Sequence, residues 1–197
     1  MKQLVAILVF VLIVLLLGGF IAAGYYVSHR NQMVRLDEAV KSNWAQVETD
    51  LQRRADLIPN LVETVKGYAA QEQTVFNDVD KARTQYMNAQ TPADKIAASN
   101  QLYGLEVKVL SLSENYPQLK SNENFLRLQD ELAGTENRIA VARKRYNDAI
   151  QAYNTYIGLF PNDVIAARAG FHRNDAYFQA AEAAQQPPQV QFPGPNR

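Results

Sequence analysis

The chain has 197 residues, with 20 Lys+Arg against 20 Asp+Glu and a formal net charge of zero. That length supports one domain with a real core, and the missing basic surplus argues against a protein whose main work is gripping nucleic acid. With no Cys and only two His, His29 and His172, it lacks the material for a disulfide framework, a thiolate metal centre, a Cys nucleophile or a His-rich metal site.

The first predicted element is apolar. After a short head (1–3), Leu4 to Ala23 reads LVAILVFVLIVLLLGGFIAA, without a charged or hydrogen-bonding side chain. At 1.5 Å per residue this run covers about 30 Å, the thickness of a bilayer's hydrocarbon core. Tyr25 and Tyr26 follow at interfacial depth. A cleaved signal peptide has a shorter apolar core, about 7–15 residues, and ends in a small-x-small site. Phe20-Ile21-Ala22-Ala23 is a poor site of that kind, so the reading is an uncleaved transmembrane anchor over 4–27, in the lipid bilayer through Leu4–Ala23. Lys2 and the amino terminus stand on one side, Arg30, Arg35 and Lys41 on the other. The positive-inside rule then favours a cytoplasmic body by a small margin. A short head before an apolar run is also how an anchor with a translocated body begins.

The body, 28–178, has few Gly and Pro until about Tyr156, and its apolar residues recur at three and four. The first stretch runs Leu36, Val40, Trp44, Val47, Leu51. The second runs Ile58, Leu61, Val65, Tyr68, Glu72, Val75/Phe76, Val79, with Glu72 as one polar breach. The third runs Ile96, Leu102/Tyr103, Leu105, Val109, Leu112. The fourth, the most regular, runs Phe125, Leu128, Leu132, Thr135, Ile139, Ala142, Tyr146, Ala149/Ile150, Tyr153, Ile157. This is helical periodicity throughout. The joint Arg53-Arg54-Ala55-Asp56-Leu57-Ile58-Pro59 reads as a helix end and a new N-cap, hence a break at Ala55–Asp56. The apolar phase from Leu51 to Ile58 is nearly unbroken, so one kinked rod is the alternative. Thr91-Pro92-Ala93-Asp94 starts the third helix and Asn115-Tyr116-Pro117 ends it. Ser121 is read as the cap of the fourth, and Gly158 with Phe160-Pro161 as its stop. The expected fold is all-α: an N-terminal transmembrane helix followed by an antiparallel four-helix bundle. The Pro/Gln-rich tail, 179–197, is expected to be disordered.

No phosphate-binding loop, HExxH or GxSxG is present, and no ExxH for a di-metal bundle site. No catalytic residue, metal or cofactor is expected. Glu72 is read as a buried carboxylate satisfied by an Arg or Tyr of another helix. Glu136 and Arg143, two turns apart on one helix, are candidates for the same network. Tyr68, Tyr103, Tyr146 and Tyr153 lie on the seams, and their hydroxyls need partners. Asn147 and Asn154 follow two of them and are the expected partners. A minor reading makes Glu72, Tyr68 and an Arg a catalytic set.

The run Gln52-Arg53-Arg54-Ala55-Asp56-Leu57-Ile58-Pro59-Asn60-Leu61-Val62 resembles the signature of the LemA family. Val65-Lys66-Gly67-Tyr68-Ala69 with Glu72, Glu114-Tyr116-Pro117, Glu136-Ile139-Ala140-Ala142-Arg143, Tyr146-Asn147, Tyr153-Asn154, Phe160-Pro161 and Tyr177-Phe178 extend the resemblance over residues 1–178. It implies a bacterial, single-pass, helical protein of the cytoplasmic (inner) membrane, without established catalysis or cofactor. It further implies protein partners, an HtpX-type membrane protease or a TPM-domain protein, in envelope stress or membrane-protein quality control. One branch of the family is similar to a magnetosome-membrane protein needed for building that compartment. The alternative reading is a self-associating scaffold, a homo-oligomer, for membrane shaping or compartment biogenesis. The joint Arg53–Asn60 and the Phe160–Pro161 region are the expected meeting points with a partner or the bilayer.

Overall fold

The computed structural model describes residues 2–179; the side chains of residues 5 and 6 are left aside. The tail therefore lies, beyond Gln179, outside the described residues. The described residues form helices and no strand: α1 (Lys2–Lys66), α2 (Gln73–Asn88), α3 (Pro92–Ser111), α4 (Glu123–Gly158) and α5 (Asn162–Ala169), with 3₁₀ turns at Leu112–Glu114 and Pro117–Ser121. An extended strap, 171–179, ends the described chain.

The helix α1 corrects the expected break at Ala55–Asp56. It is one uninterrupted helix of 65 residues that contains Pro59. A proline inside a helix orphans the carbonyl four residues back, here that of Ala55. The structure fills that vacancy from another element. Arg83 Nε, on α2, donates to the Ala55 carbonyl at 3.1 Å. The Arg83 guanidinium also lies 3.8 Å from Asp56. The rod alternative therefore holds. Replacing Arg83 with alanine leaves a backbone acceptor unpaired and costs about 1–2 kcal/mol, with Arg83→Lys intermediate. Urea unfolding of the detergent-solubilised chain measures this, and an unchanged midpoint for Arg83→Ala refutes the assignment.

The bundle's helices are accordingly not those of the apolar periodicity. The second stretch divides at the Gly67–Glu72 turn into the end of α1 and a separate α2. Residues Ile58, Leu61 and Val65 are buried from α1, Phe76, Val79, Ala82 and Tyr86 from α2. The long antiparallel pair α1–α4 is the spine, and the hairpin α2–α3 lies against the last third of α1. Helix α5 wedges between α1 and α4 at their other end. Four helices thus surround the core near Arg54, whereas α1, α4, α5 and the strap close it nearer the apolar run.

Local punctuation follows the expected chemistry. Thr91 caps α3, its side chain accepting from the Asp94 amide at 3.1 Å. The cap of α4 is Asn122 rather than Ser121; Asn122 Oδ1 accepts from the Phe125 amide at 2.9 Å. The same Asn122 donates through Nδ2 to the Tyr68 hydroxyl at 2.9 Å, which ties the end of α1 to the start of α4. Gly170 ends α5 with φ +79°, a left-handed conformation that a Cβ disfavours.

Candidate functional site

The apolar run of α1 touches nothing in the described structure. Leu4 is 67% exposed and Phe20 81%, and the apolar side chains from Ile7 to Leu17 are similarly bare. Among the described residues α1 is the one helix long and apolar enough to cross a membrane. Where the run ends, aromatic rings gather. His29 lies 4.0 Å, centroid to centroid, from Tyr25. Its Nδ1 shares a 2.8 Å hydrogen bond with the Tyr156 hydroxyl of α4. His29 thus ties the stretch after the apolar run to α4 of the body.

Two polar sites lie further along the spine. The first is a buried ion cluster. Arg54 and Glu106 are each 3% exposed. Arg54 Nε lies 3.3 Å from Glu106 Oε2, and its other arm meets Glu136. The guanidinium carbon lies 4.8 Å from the centroid of the Tyr103 ring, a cation–π contact. Burial pushes the guanidinium below its ordinary value, with Glu106 opposing. Burial also pushes the Glu106 carboxyl above its ordinary range, with Arg54 pulling it part of the way back. Each charge is tolerable here only because the other is present. Asp50, also buried, sits one turn earlier, 3.7 Å from Arg138.

Sequence reasoning missed Glu106 and misplaced Arg54. Both signals were available. Arg54 falls three after Leu51 and four before Ile58, on the seam rather than at a helix end. Glu106 falls four after Leu102 and three before Val109, the same breach pattern that singled out Glu72. Glu72 itself is not on a helical seam. It lies half-buried in the turn before α2 and accepts from the Tyr116 hydroxyl at 3.3 Å. Its partner is a tyrosine in the turn between the two 3₁₀ segments, rather than the expected residue of another helix. Among the described residues neither Tyr68 nor Glu72 has an Arg as a hydrogen-bond or ion-pair partner. Glu136 joins the cluster around Arg54. Arg143 turns instead to Asn100 Oδ1 at 3.1 Å and to the Phe178 ring at 4.4 Å.

The second site is an asparagine clasp. Asn147 donates to the Phe178 carbonyl at 2.9 Å and accepts from the Phe178 amide at 3.0 Å. Asn154 does the same for Asn174, at 2.7 and 2.9 Å. Its Nδ2 also reaches the Tyr177 hydroxyl at 3.1 Å. The expected partnership of Asn147 and Asn154 with the neighbouring Tyr146 and Tyr153 hydroxyls is thereby corrected. Side-chain amides two turns apart hold the backbone of an extended strap whose own N–H and C=O have no sheet to join. Tyr153 hydroxyl donates to the His172 carbonyl at 2.9 Å, so His172 is held by its backbone while its side chain is exposed. Tyr146 is 1% exposed; burial pushes its phenol up and Asn174 opposes. Phe178 is 7% exposed and packs edge-on to Tyr146, with Trp44 stacked beside it at 6.3 Å.

The signature run divides cleanly by face. Ala55, Ile58, Leu61 and Val62 are buried with Arg54. Arg53, Asp56 and Asn60 are exposed, and Pro59 is half-buried. Spacings of three and four set Arg53, Asp56 and Asn60 in one polar stripe. At the opposite end of the spine Phe160 is 84% exposed, and its bond to Pro161 is cis. Among the described residues no three His, Cys, Asp or Glu side chains gather in a group able to hold a metal.

An apolar helix continuous with an all-helical body defines a membrane-anchored, single-pass helical protein. It belongs to the LemA family, whose sequence profile matches residues 43–192. The match begins within α1, past the apolar run, and continues beyond residue 178, where the resemblance read from the motifs stopped. The chain is 26% identical over 183 residues to the magnetosome protein MamQ 2 of Paramagnetospirillum magneticum, covering 80% of this chain and 67% of that protein. It is 25% identical over 183 residues to the magnetosome protein MamQ of Magnetospirillum gryphiswaldense, with the same coverage. It is 22% identical over 158 residues to protein LemA of Metamycoplasma hominis, covering 80% of this chain and 72% of that one.

Proposed function

We propose that this chain is a non-enzymatic, membrane-anchored scaffold that works through protein partners at the bacterial inner membrane, with its body (28–178) on the cytoplasmic side. One observation carries the reading: the polar half of the signature run, Arg53, Asp56 and Asn60, stays exposed while its apolar half is spent on the core. Folding accounts for the buried half; of the exposed half Asp56 also lies 3.8 Å from Arg83, and Arg53 and Asn60 are left for another molecule. The rod sets that stripe about 45–55 Å from the end of the apolar run, at 1.5 Å per residue. That height suits an encounter with the cytosolic part of a membrane protein. An HtpX-type protease or a TPM-domain protein, implied by the family resemblance, is the partner class we favour, in quality control or envelope stress.

Arg53→Glu with Asn60→Ala is the discriminating pair, since both positions are exposed. Crosslinking in native membranes, with mass-spectrometric identification, should lose at least tenfold of the principal partner while the chain stays folded. Undiminished capture from a folded variant removes the stripe as a docking surface. The magnetosome relatives favour a second reading, a self-associating scaffold for membrane shaping or compartment biogenesis. A strictly monomeric native mass in mild detergent, with liposomes left undeformed, rules that out.

A further inference from the structure

We propose that Leu159, Phe160 and Val164 form a second foot that enters the headgroup–acyl boundary of the same bilayer that α1 crosses. The inference extends the membrane-anchored reading and rests on it. Pairing between α1 and α4 fixes the height of the end of α4, from which these residues follow. Arg54 meets Glu136, Trp44 meets Tyr146 at 5.3 Å between centroids, and His29 meets Tyr156 at 2.8 Å. The two helices are antiparallel, so each step forward along α4 is a step back along α1 towards the apolar run. Helix α4 stops at Gly158, two residues past Tyr156, and Leu159 leaves it in extended backbone. The chain therefore leaves α4 close to the level of His29, which is six residues, about 9 Å of helix rise, from Ala23 at the end of the run.

Exposure gives the second part. Phe160 is 84% exposed, Leu159 57% and Val164 60%. These are large apolar side chains clustered at one end of the body, and nothing in the described structure covers them. They are also firmly placed. Asn162 is 7% exposed and donates through Nδ2 to the Tyr156 carbonyl at 3.0 Å, in the last turn of α4. Ala166, 4% exposed, seats α5 against α1 and α4. An exposed apolar cluster held rigidly beside the exit of a membrane helix matches the boundary zone, where apolar and amphipathic rings are stable. Two attachment points, α1 and this foot, fix the tilt of the rod as well as its height.

The absence of Cys makes the test direct. Single variants Phe160→Cys, Val164→Cys, Leu12→Cys and Lys144→Cys are labelled with an environment-sensitive fluorophore in the full chain. They are then placed in phosphatidylcholine nanodiscs with or without lipids carrying brominated acyl chains. Lys144 is a body control with a side chain 77% exposed. Leu12 reports the anchor. Labels at 160 and 164 should emit blue-shifted relative to 144 and lose at least half their intensity to the brominated lipids, as should 12. Quenching at 12 without quenching at 160 and 164 overturns the foot and leaves the anchor standing. Blue-shifted emission at 160 that brominated lipid does not quench assigns the patch to protein contact, and also overturns it. Absence of quenching at all positions overturns both the foot and the anchor beneath it.

Discussion

Arg54→Ala should destabilise the folded body by about 3–5 kcal/mol, the cost of leaving a buried charge without its partner. Arg54 lies among Glu106, Glu136 and the Tyr103 ring at the junction of α1, α3 and α4. Removing it leaves the Glu106 carboxylate, 3% exposed, with no counter-ion among its contacts. The loss should depend on pH with a definite sign. Burial already raises Glu106 above its ordinary value, and Arg54 is the group that opposes the rise. In the variant the carboxyl therefore rises further. A group raised on folding contributes its full stability below its unfolded value, about 4.3, and loses it as pH climbs through the folded one. The deficit of Arg54→Ala is thus greatest at pH 7–8 and shrinks as pH falls towards 5. Glu106→Gln, which removes the charge but keeps the shape, costs less than Arg54→Ala at pH 7. Trp44, the single Trp, reports urea unfolding of the solubilised chain. A midpoint within error of wild type for Arg54→Ala, or a deficit that deepens on acidification, contradicts the assignment.

The double variant Asn147→Ala with Asn154→Ala should release the strap at a cost of about 2–4 kcal/mol, at roughly 1–2 for each two-bond clasp. The two sites share one bound segment, so their losses need not add. Amides of Asn174 and Phe178, each accepted by an asparagine Oδ1, should exchange with solvent deuterium at least tenfold faster. Trp44 emission should shift as Phe178 leaves its side. Asn→Asp at the same positions separates geometry from donation. It keeps the acceptor but replaces the Nδ2 donor with an oxygen facing a carbonyl, so it should release the strap as the alanines do. Retained protection in the alanine double variant shows that aromatic packing alone holds the segment.

The sequence exposed some of this architecture and concealed the rest for physical reasons. The apolar run was legible because hydrocarbon tolerates no polar interruption over that span. The seam of α4 was legible because ten successive positions repeat one period, and all but Ala149 of that seam are buried. The joint Arg53–Pro59 reads as a helix end and a new N-cap, and what keeps it helical is decided elsewhere. A proline inside a helix leaves a carbonyl without its N–H, and the donor that meets it here, Arg83, lies 28 residues after Ala55. Asn147 and Asn154 stood out by spacing, yet their partner is an extended segment, and extended irregular chain carries no period to read. Arg54 and Glu106 each break an apolar seam in one helix. Only the packed structure shows that the two breaches face each other.

One continuous rod, α1, joins the apolar run to the bundle. Double electron–electron resonance between spin labels at Val27→Cys and Glu63→Cys, both exposed positions of a Cys-free chain, measures that rod in nanodiscs. An unbroken helix predicts a single narrow distribution near 54 Å, about 1.5 Å for each intervening residue. A broad distribution, or one centred well below that length, contradicts a rod that holds the signature stripe at a fixed height above the membrane.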